Sequence, residues 1–284
     1  MLIKSKEEWI PVDFNGLTVI NEGISASKNS TFVFDFNNDD SSDIISLTNP
    51  SIHSSTINNV IEYYYFGYQF NKDVSSSIRS QFIHHLKFDD MTKEKEKFIH
   101  DSIIKFNRII PIQQFEYIIY PESSSDLTHR LVMELSNVVL PDFSVGTIEM
   151  VKSMPKQIEF DYDRYEMHLR TAKNKDGKKK YGNENMIQNA LKSVKDQMDK
   201  IHNLDYFSIA KNIKGKYKNY LRKYYHFKTK KDENIYKALK NGKVLIVDDI
   251  MTSGVTLLQL FKAVKVINPS ITPIVFTLLG KDAT

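Results

Sequence analysis

The sequence predicts an α/β protein with a parallel sheet core and helices on both faces. Three observations carry that expectation. Residues 244–247, VLIV, form a continuous apolar run, the pattern of a strand buried on both sides in a parallel sheet. A loop of small residues and an apolar-periodic helix follow, with Leu257, Leu258, Phe261, Val264 and Val266 on the stripe. Earlier, EYIIY (116–120) runs through PESSSD (121–126) into LTHRLVMELSNVV, repeating the order of strand, loop and helix.

The remaining elements follow from the same periodicities. TFVFDF (31–36) alternates as a strand does, NNDDSSD (37–43) is a loop, and VIEYYYFGYQF (60–70) is β-prone and aromatic. Helices are expected over SSIRSQFIHHLKF (76–88) and TKEKEKFIHDSIIKF (92–106), the second capped by Asp90 or Thr92. VGTIEMV (145–151) and TPIVFTLL (272–279) read as further strands. Between them KNKDGKKKYGN (173–183) is a basic loop, and MIQNALKSVKDQMDKI (186–201) carries a helical stripe. These boundaries divide the chain into an N-terminal α+β region at 1–110 and a core at 111–284. The core carries a basic helical insertion at about 155–240.

Composition narrows the chemistry. The 284 residues are 41% hydrophobic, enough to bury a sizeable core, and 26% charged, the balance of a folded chain. With no cysteine, the chain has no disulfide, zinc thiolate site or cysteine nucleophile. The eight histidines show no metal-ligand spacing. MLIKSKEEWIPVDF has no apolar run of signal-peptide length, and no stretch reaches a membrane span, so a cytoplasmic protein without a membrane partner is expected. Net charge is +4, but over residues 152–231 basic side chains outnumber acidic ones by roughly two to one. That imbalance suits an anionic partner.

Two adjacent carboxylates, Asp248 and Asp249, end the apolar run at 244–247. In open α/β sheets ligands bind outside the carboxyl ends of the strands. Thr252, Ser253, Gly254, Val255 and Thr256 then open a helix, whose free N–H groups and dipole favour an anion. Acceptors and donors thus stand on one turn, as a sugar phosphate requires.

VLIVDDIMTSGVT (244–256) resembles the phosphoribosyl pyrophosphate (PRPP) signature of type I phosphoribosyltransferases. The resemblance implies that family's fold around the parallel sheet. It implies that Asp248 and Asp249 hold the ribose hydroxyls, and touch a metal only through those hydroxyls or water. Thr252, Ser253, Gly254, Val255 and Thr256 would bind the 5-phosphate. PESSSD is similar in kind to the family's pyrophosphate loop, which would make Ser123, Ser124 and Ser125 the pyrophosphate contacts. The implied reaction is Mg2+-dependent transfer of phosphoribose from PRPP to a nitrogenous base with release of pyrophosphate, or the reverse phosphorolysis. Lys152, with Lys156, is the candidate for the basic catalytic loop. Thr252 stands where the 6-oxopurine enzymes carry an aspartate base, so hypoxanthine and guanine are disfavoured as acceptors.

Bland readings stand beside these. Ser and Asp in PESSSD also suit a plain helix cap. Residues 205–231 interleave Tyr206, Phe207, Tyr217, Tyr220, Tyr224 and Tyr225 with lysines and arginine. Three readings fit: a nucleic-acid stacking surface, a helix with its aromatics inward, or a hood for an anionic substrate. The second functional class is therefore a PRPP-sensing, non-catalytic regulator that binds nucleic acid. A homodimer is left open.

Overall fold

A computed structural model describes residues 2–4, 9–11, 31–33, 52–57, 60–70, 76–138, 143–240 and 242–280. Its strands and helices are, in order, β1 (Leu2–Lys4), β2 (Trp9–Pro11), β3 (Thr31–Val33), β4 (His53–Ile57), β5 (Ile61–Gln69), α1 (Ser76–Phe88), α2 (Lys93–Ile109), β6 (Tyr117–Pro121), α3 (Leu127–Asn137), β7 (Gly146–Lys152), β8 (Glu159–Phe160), α4 (Tyr162–Thr171), α5 (Glu184–His202), α6 (Ile209–Asn212), β9 (Leu221–Arg222), β10 (Tyr225–Phe227), α7 (Lys230–Ala238), β11 (Val244–Ile250), α8 (Val255–Ile267) and β12 (Ile274–Gly280). They fall into two compact units. The first comprises Met1–Thr147, Gly242–Ser253 and Pro273–Thr284; the second comprises Ile148–Asn241 and Gly254–Thr272.

The first unit is α/β with a mostly parallel central sheet, in the order β6-β11-β12-β5-β4. β11 runs parallel to both neighbours, with Ile246 opposite Ile119 on β6 and Val275 on β12. β12 is parallel to β5, and only β4 runs antiparallel, with a bulge between Ser55 and Ile57. Every residue of β11 is buried, as its unbroken apolar run dictates. Leu245, Val247, Phe276 and Leu278 share one apolar core with Phe82 of α1, Phe106 of α2 and Leu131 of α3. The boundary expected at residue 110 is therefore crossed. β5, from the N-terminal region, is a full member of the sheet because its aromatic run packs as a central strand beside β12.

Local signals were mostly accurate here. α1, α2 and α3 occupy the helical stretches, and Thr92, not Asp90, caps α2 by accepting from the Lys95 amide at 3.3 Å. Of the TFVFDF strand, residues 31–33 form β3, in a small antiparallel sheet ordered β2-β1-β3, and residues 34–36 lie outside the described residues.

The second unit is more mixed than a helical insertion. α5 takes the expected stripe, with Ile187, Val194, Met198 and Ile201 buried and Asn183 capping it. Residues 205–231, however, form short α6, a 3-10 turn at Gly215–Tyr220, β9 and β10. β8 pairs with β9, and β10 with β7, both antiparallel. Tyr217, Leu221, Tyr224 and Tyr225 are buried at spacings one helical stripe would satisfy, but the chain breaks between β9 and β10 at Lys223, whose φ of 56° no helix continues. On α8 the apolar face holds Leu257, Leu258, Phe261 and Val264, but Val266 is 78% exposed and is removed from the stripe. It lies two residues beyond Val264, about 200° around the helix. Among the described residues no helix is long and apolar enough to cross a membrane.

Candidate functional site

β11 delivers Asp248 and Asp249 to the carboxyl end of the central strand, where its apolar run stops. Both are buried, Asp249 to 1% exposure. Two adjacent carboxylates in such a place need partners, because an unpaired buried charge is strongly unfavourable. The Asp249 amide donates to Asp248 Oδ1 at 3.0 Å. Lys87 Nζ lies 2.7 Å from Asp249 Oδ1, and Ser125 Oγ donates to Asp249 Oδ2 at 3.4 Å. Each oxygen of Asp249 thus has its own partner.

Ser125 comes from the loop between β6 and α3. In a parallel sheet β6 and β11 point their carboxyl ends the same way, so their following loops meet. Within that loop the Ser125 amide donates to Ser123 Oγ at 3.2 Å, and the two hydroxyls stand 3.4 Å apart. Ser123 and Ser124 are exposed, and Ser125 is buried. Asp126 occupies the cap position of α3 but makes no side-chain cap bond; it pairs sideways with Arg130 at 2.5 Å. Ser125 is therefore directed to Asp249, and Ser123 to the Ser125 amide.

After β11, the Met251 amide donates to the Leu279 carbonyl at 2.8 Å, holding the loop to β12. Thr252 and Ser253 are exposed. Gly254 takes the left-handed conformation, φ 68°, and opens α8 without a side-chain cap. A Cβ at this backbone would be strained, so glycine is the residue that makes the turn. Val255 and Thr256 are half-buried in the first turn of α8, and the Leu258 amide closes the first helical bond to the Gly254 carbonyl.

The fold brings together Asp248, Asp249 and Ser125, with Thr252 and Ser253 on the loop that leaves β11. Gly254, Val255 and Thr256 continue that loop into the second unit. Lys152 and Lys156 also belong to the second unit. Lys152 ends β7 opposite Tyr225, and Lys156 sits exposed on the 3-10 turn Pro155–Gln157. Sequence reasoning missed Lys87. It sits in the last turn of α1, as one lysine in HHLKF, and nothing local marks it as a partner for a carboxylate far along the chain.

Of the seven Phe and Tyr residues in 205–231, Phe207, Tyr217, Tyr224, Tyr225 and Phe227 are buried, and Tyr206 is 65% exposed. Tyr165 meets the Tyr217 ring edge-on, and Phe207 meets Tyr224 likewise. These rings form the second unit's core, which leaves few faces for stacking bases. Among the described residues no group of three His, Cys, Asp or Glu side chains gathers to hold a metal. A scan of family models and a search of curated proteins returned no match to this chain.

Proposed function

We propose that the chain is a type I phosphoribosyltransferase, transferring phosphoribose from PRPP to a nitrogenous base with release of pyrophosphate, or running the reverse phosphorolysis. The observation that carries this reading is the buried Asp248–Asp249 pair at the carboxyl end of a parallel central strand, hydrogen-bonded to Ser125 of the neighbouring strand's loop. Carboxylates accept from a vicinal diol, and the glycine turn into α8 offers backbone donors to a phosphate. In this reading Asp248 and Asp249 take the ribose hydroxyls. Thr252, Ser253, Gly254, Val255 and Thr256 cradle the 5-phosphate, and Ser123, Ser124 and Ser125 the pyrophosphate.

Magnesium bound to the diphosphate would supply neutralisation of the charge that develops on the leaving group. Asp248 and Asp249 would meet that metal only through ribose hydroxyls or water, with Lys87 supplying positive charge beside Asp249. Lys87 also puts a cation on the carboxylate that Ser125 touches, and Lys152 and Lys156 keep the basic catalytic loop in this reading.

The test is to incubate the protein with PRPP, magnesium and a panel of nucleobases and to follow pyrophosphate. Release with one base, and loss of PRPP binding by calorimetry in Asp248→Asn with Asp249→Asn, support the reading. Unchanged PRPP binding in that double variant overturns the site. PRPP binding without turnover, coupled to salt-sensitive nucleic-acid binding, transfers the site to the regulator class.

A further inference from the structure

A second concentration of charge lies wholly inside the second unit, around residues 219–222. Asp161 is its one buried carboxylate. Its Oδ1 accepts from the Arg164 amide at 3.2 Å, capping α4, and its Oδ2 accepts from Arg222 Nη2 at 2.5 Å. The Asp161 amide donates to the Tyr220 carbonyl at 2.8 Å, so the carboxylate is fixed beside this segment. From α8, Lys262 Nζ reaches the carbonyls of Asn219 at 2.5 Å and Leu221 at 3.5 Å. The Arg164 guanidinium lies 6.0 Å from the centre of the Tyr220 ring. Three cations thus gather on a stretch of four residues, with Asp161 as their shared counter-charge.

Three nearby carboxylates are engaged by other cations. Glu159, opposite Arg222 on β8, is taken by Lys223, and Glu166 and Glu184 are both taken by Arg170. His168 stands 6.0 Å from the Tyr220 ring and can only add positive charge. Burial and then the Arg164 charge lower the Lys262 amine to about 8, with Arg222 acting the same way and Asp161 opposing. Meanwhile the Arg164 and Arg222 side chains remain exposed, so the excess charge is open to solvent.

We propose that Arg164, Arg222 and Lys262 form a binding site for a phosphate dianion, carried as a phosphomonoester or as free phosphate. A dianion balances three cations against Asp161. Guanidinium groups match phosphate oxygens in a fork, and the half-buried Tyr220 ring offers an apolar wall for an ester group. The site shares no residue with the acid-pair site.

The test is calorimetry of the full chain with inorganic phosphate and with phenyl phosphate, in phosphate-free buffer at fixed ionic strength. It is paired with mass-spectrometric labelling of Lys262 by an amine reagent. Expected are binding that weakens at least about tenfold in Arg164→Gln, and protection of Lys262 by either ligand. Arg164→Gln is chosen because it leaves the Asp161–Arg222 pair intact, and the wild-type labelling arm requires no variant. Tighter phenyl phosphate binding identifies a phosphomonoester; equal affinities identify free phosphate. No protection of Lys262, or phosphate binding unchanged by Arg164→Gln, overturns the proposal. Phosphate captured by the loop at 252–256 gives that second pattern, so this test fails separately from the proposed function.

Discussion

Breaking the Lys87–Asp249 pair gives the sharpest energetic test of the acid site. Asp249's side chain is 2% exposed and Lys87's 24%, with 2.7 Å between the charged atoms. At an effective dielectric constant of 20 the gross attraction at that distance is about 6 kcal/mol. Desolvation takes back a large part. Exposed pairs retain about 0–1 kcal/mol, whereas removing one partner of a buried pair costs about 3–5 kcal/mol. One partner here is fully buried and the other three-quarters so, which places the loss in Lys87→Met near 3 kcal/mol. Ser125 cannot compensate at 3.4 Å. Removing both charges, in Lys87→Met with Asp249→Asn, leaves no stranded carboxylate and is expected to cost about 1 kcal/mol or less beyond the Asn change alone. A urea double-mutant cycle at pH 7, followed by far-UV circular dichroism, should therefore give a coupling of about 2 kcal/mol. A coupling below about 0.5 kcal/mol would refute the reasoning, because it would mean the buried carboxylate does not depend on Lys87.

Three further outcomes follow from the same structure. Gly254→Ala forces a Cβ onto a φ of 68° and should cost about 1 kcal/mol, read as a drop of a few degrees in Tm, with weaker PRPP binding in the same sample. In Gly67→Ala the new Cβ would stand 2.0 Å from Ser102 Oγ and 3.0 Å from the Leu278 carbonyl, so a loss of about 3 kcal/mol is expected. Ser102→Ala should recover more than half of it, and alone should be neutral or better in chemical denaturation, since Ser102 Oγ is buried without a hydrogen-bond partner. Lys262 has a folded-state value lowered to about 8 from 10.5, so between those pH values the unfolded chain binds more protons. Its contribution to stability therefore rises with pH from about 8 to 10.5, and wild type should gain on Lys262→Met across that window in urea midpoints.

How much could be read in advance depended on how far apart in sequence the cause and its effect lay. β11, α3, α5 and the Thr92 cap are written in runs, stripes and single residues a turn apart, and there the reading and the structure agree. The acid pair was visible for the same reason: it breaks an apolar strand at the end where parallel sheets expose their loops. Residues 205–231 misled because aromatic content marks burial without saying which element performs it. Tyr217 and Tyr225 are both buried, one on a 3-10 turn and the other on a strand. Lys87 was invisible for a deeper reason. A lysine near a helix C-terminus suits the dipole wherever the helix goes. Only the tertiary fold, which brings the last turn of α1 to the carboxyl end of β11, turns that ordinary residue into the counter-charge of Asp249. The carboxylate, in contrast, announces itself, since a buried acid must have a partner somewhere. A sequence can therefore reveal that such a partner is required while hiding which residue supplies it. In this chain the supplier is a helix from the N-terminal region, so that region is energetically part of the site.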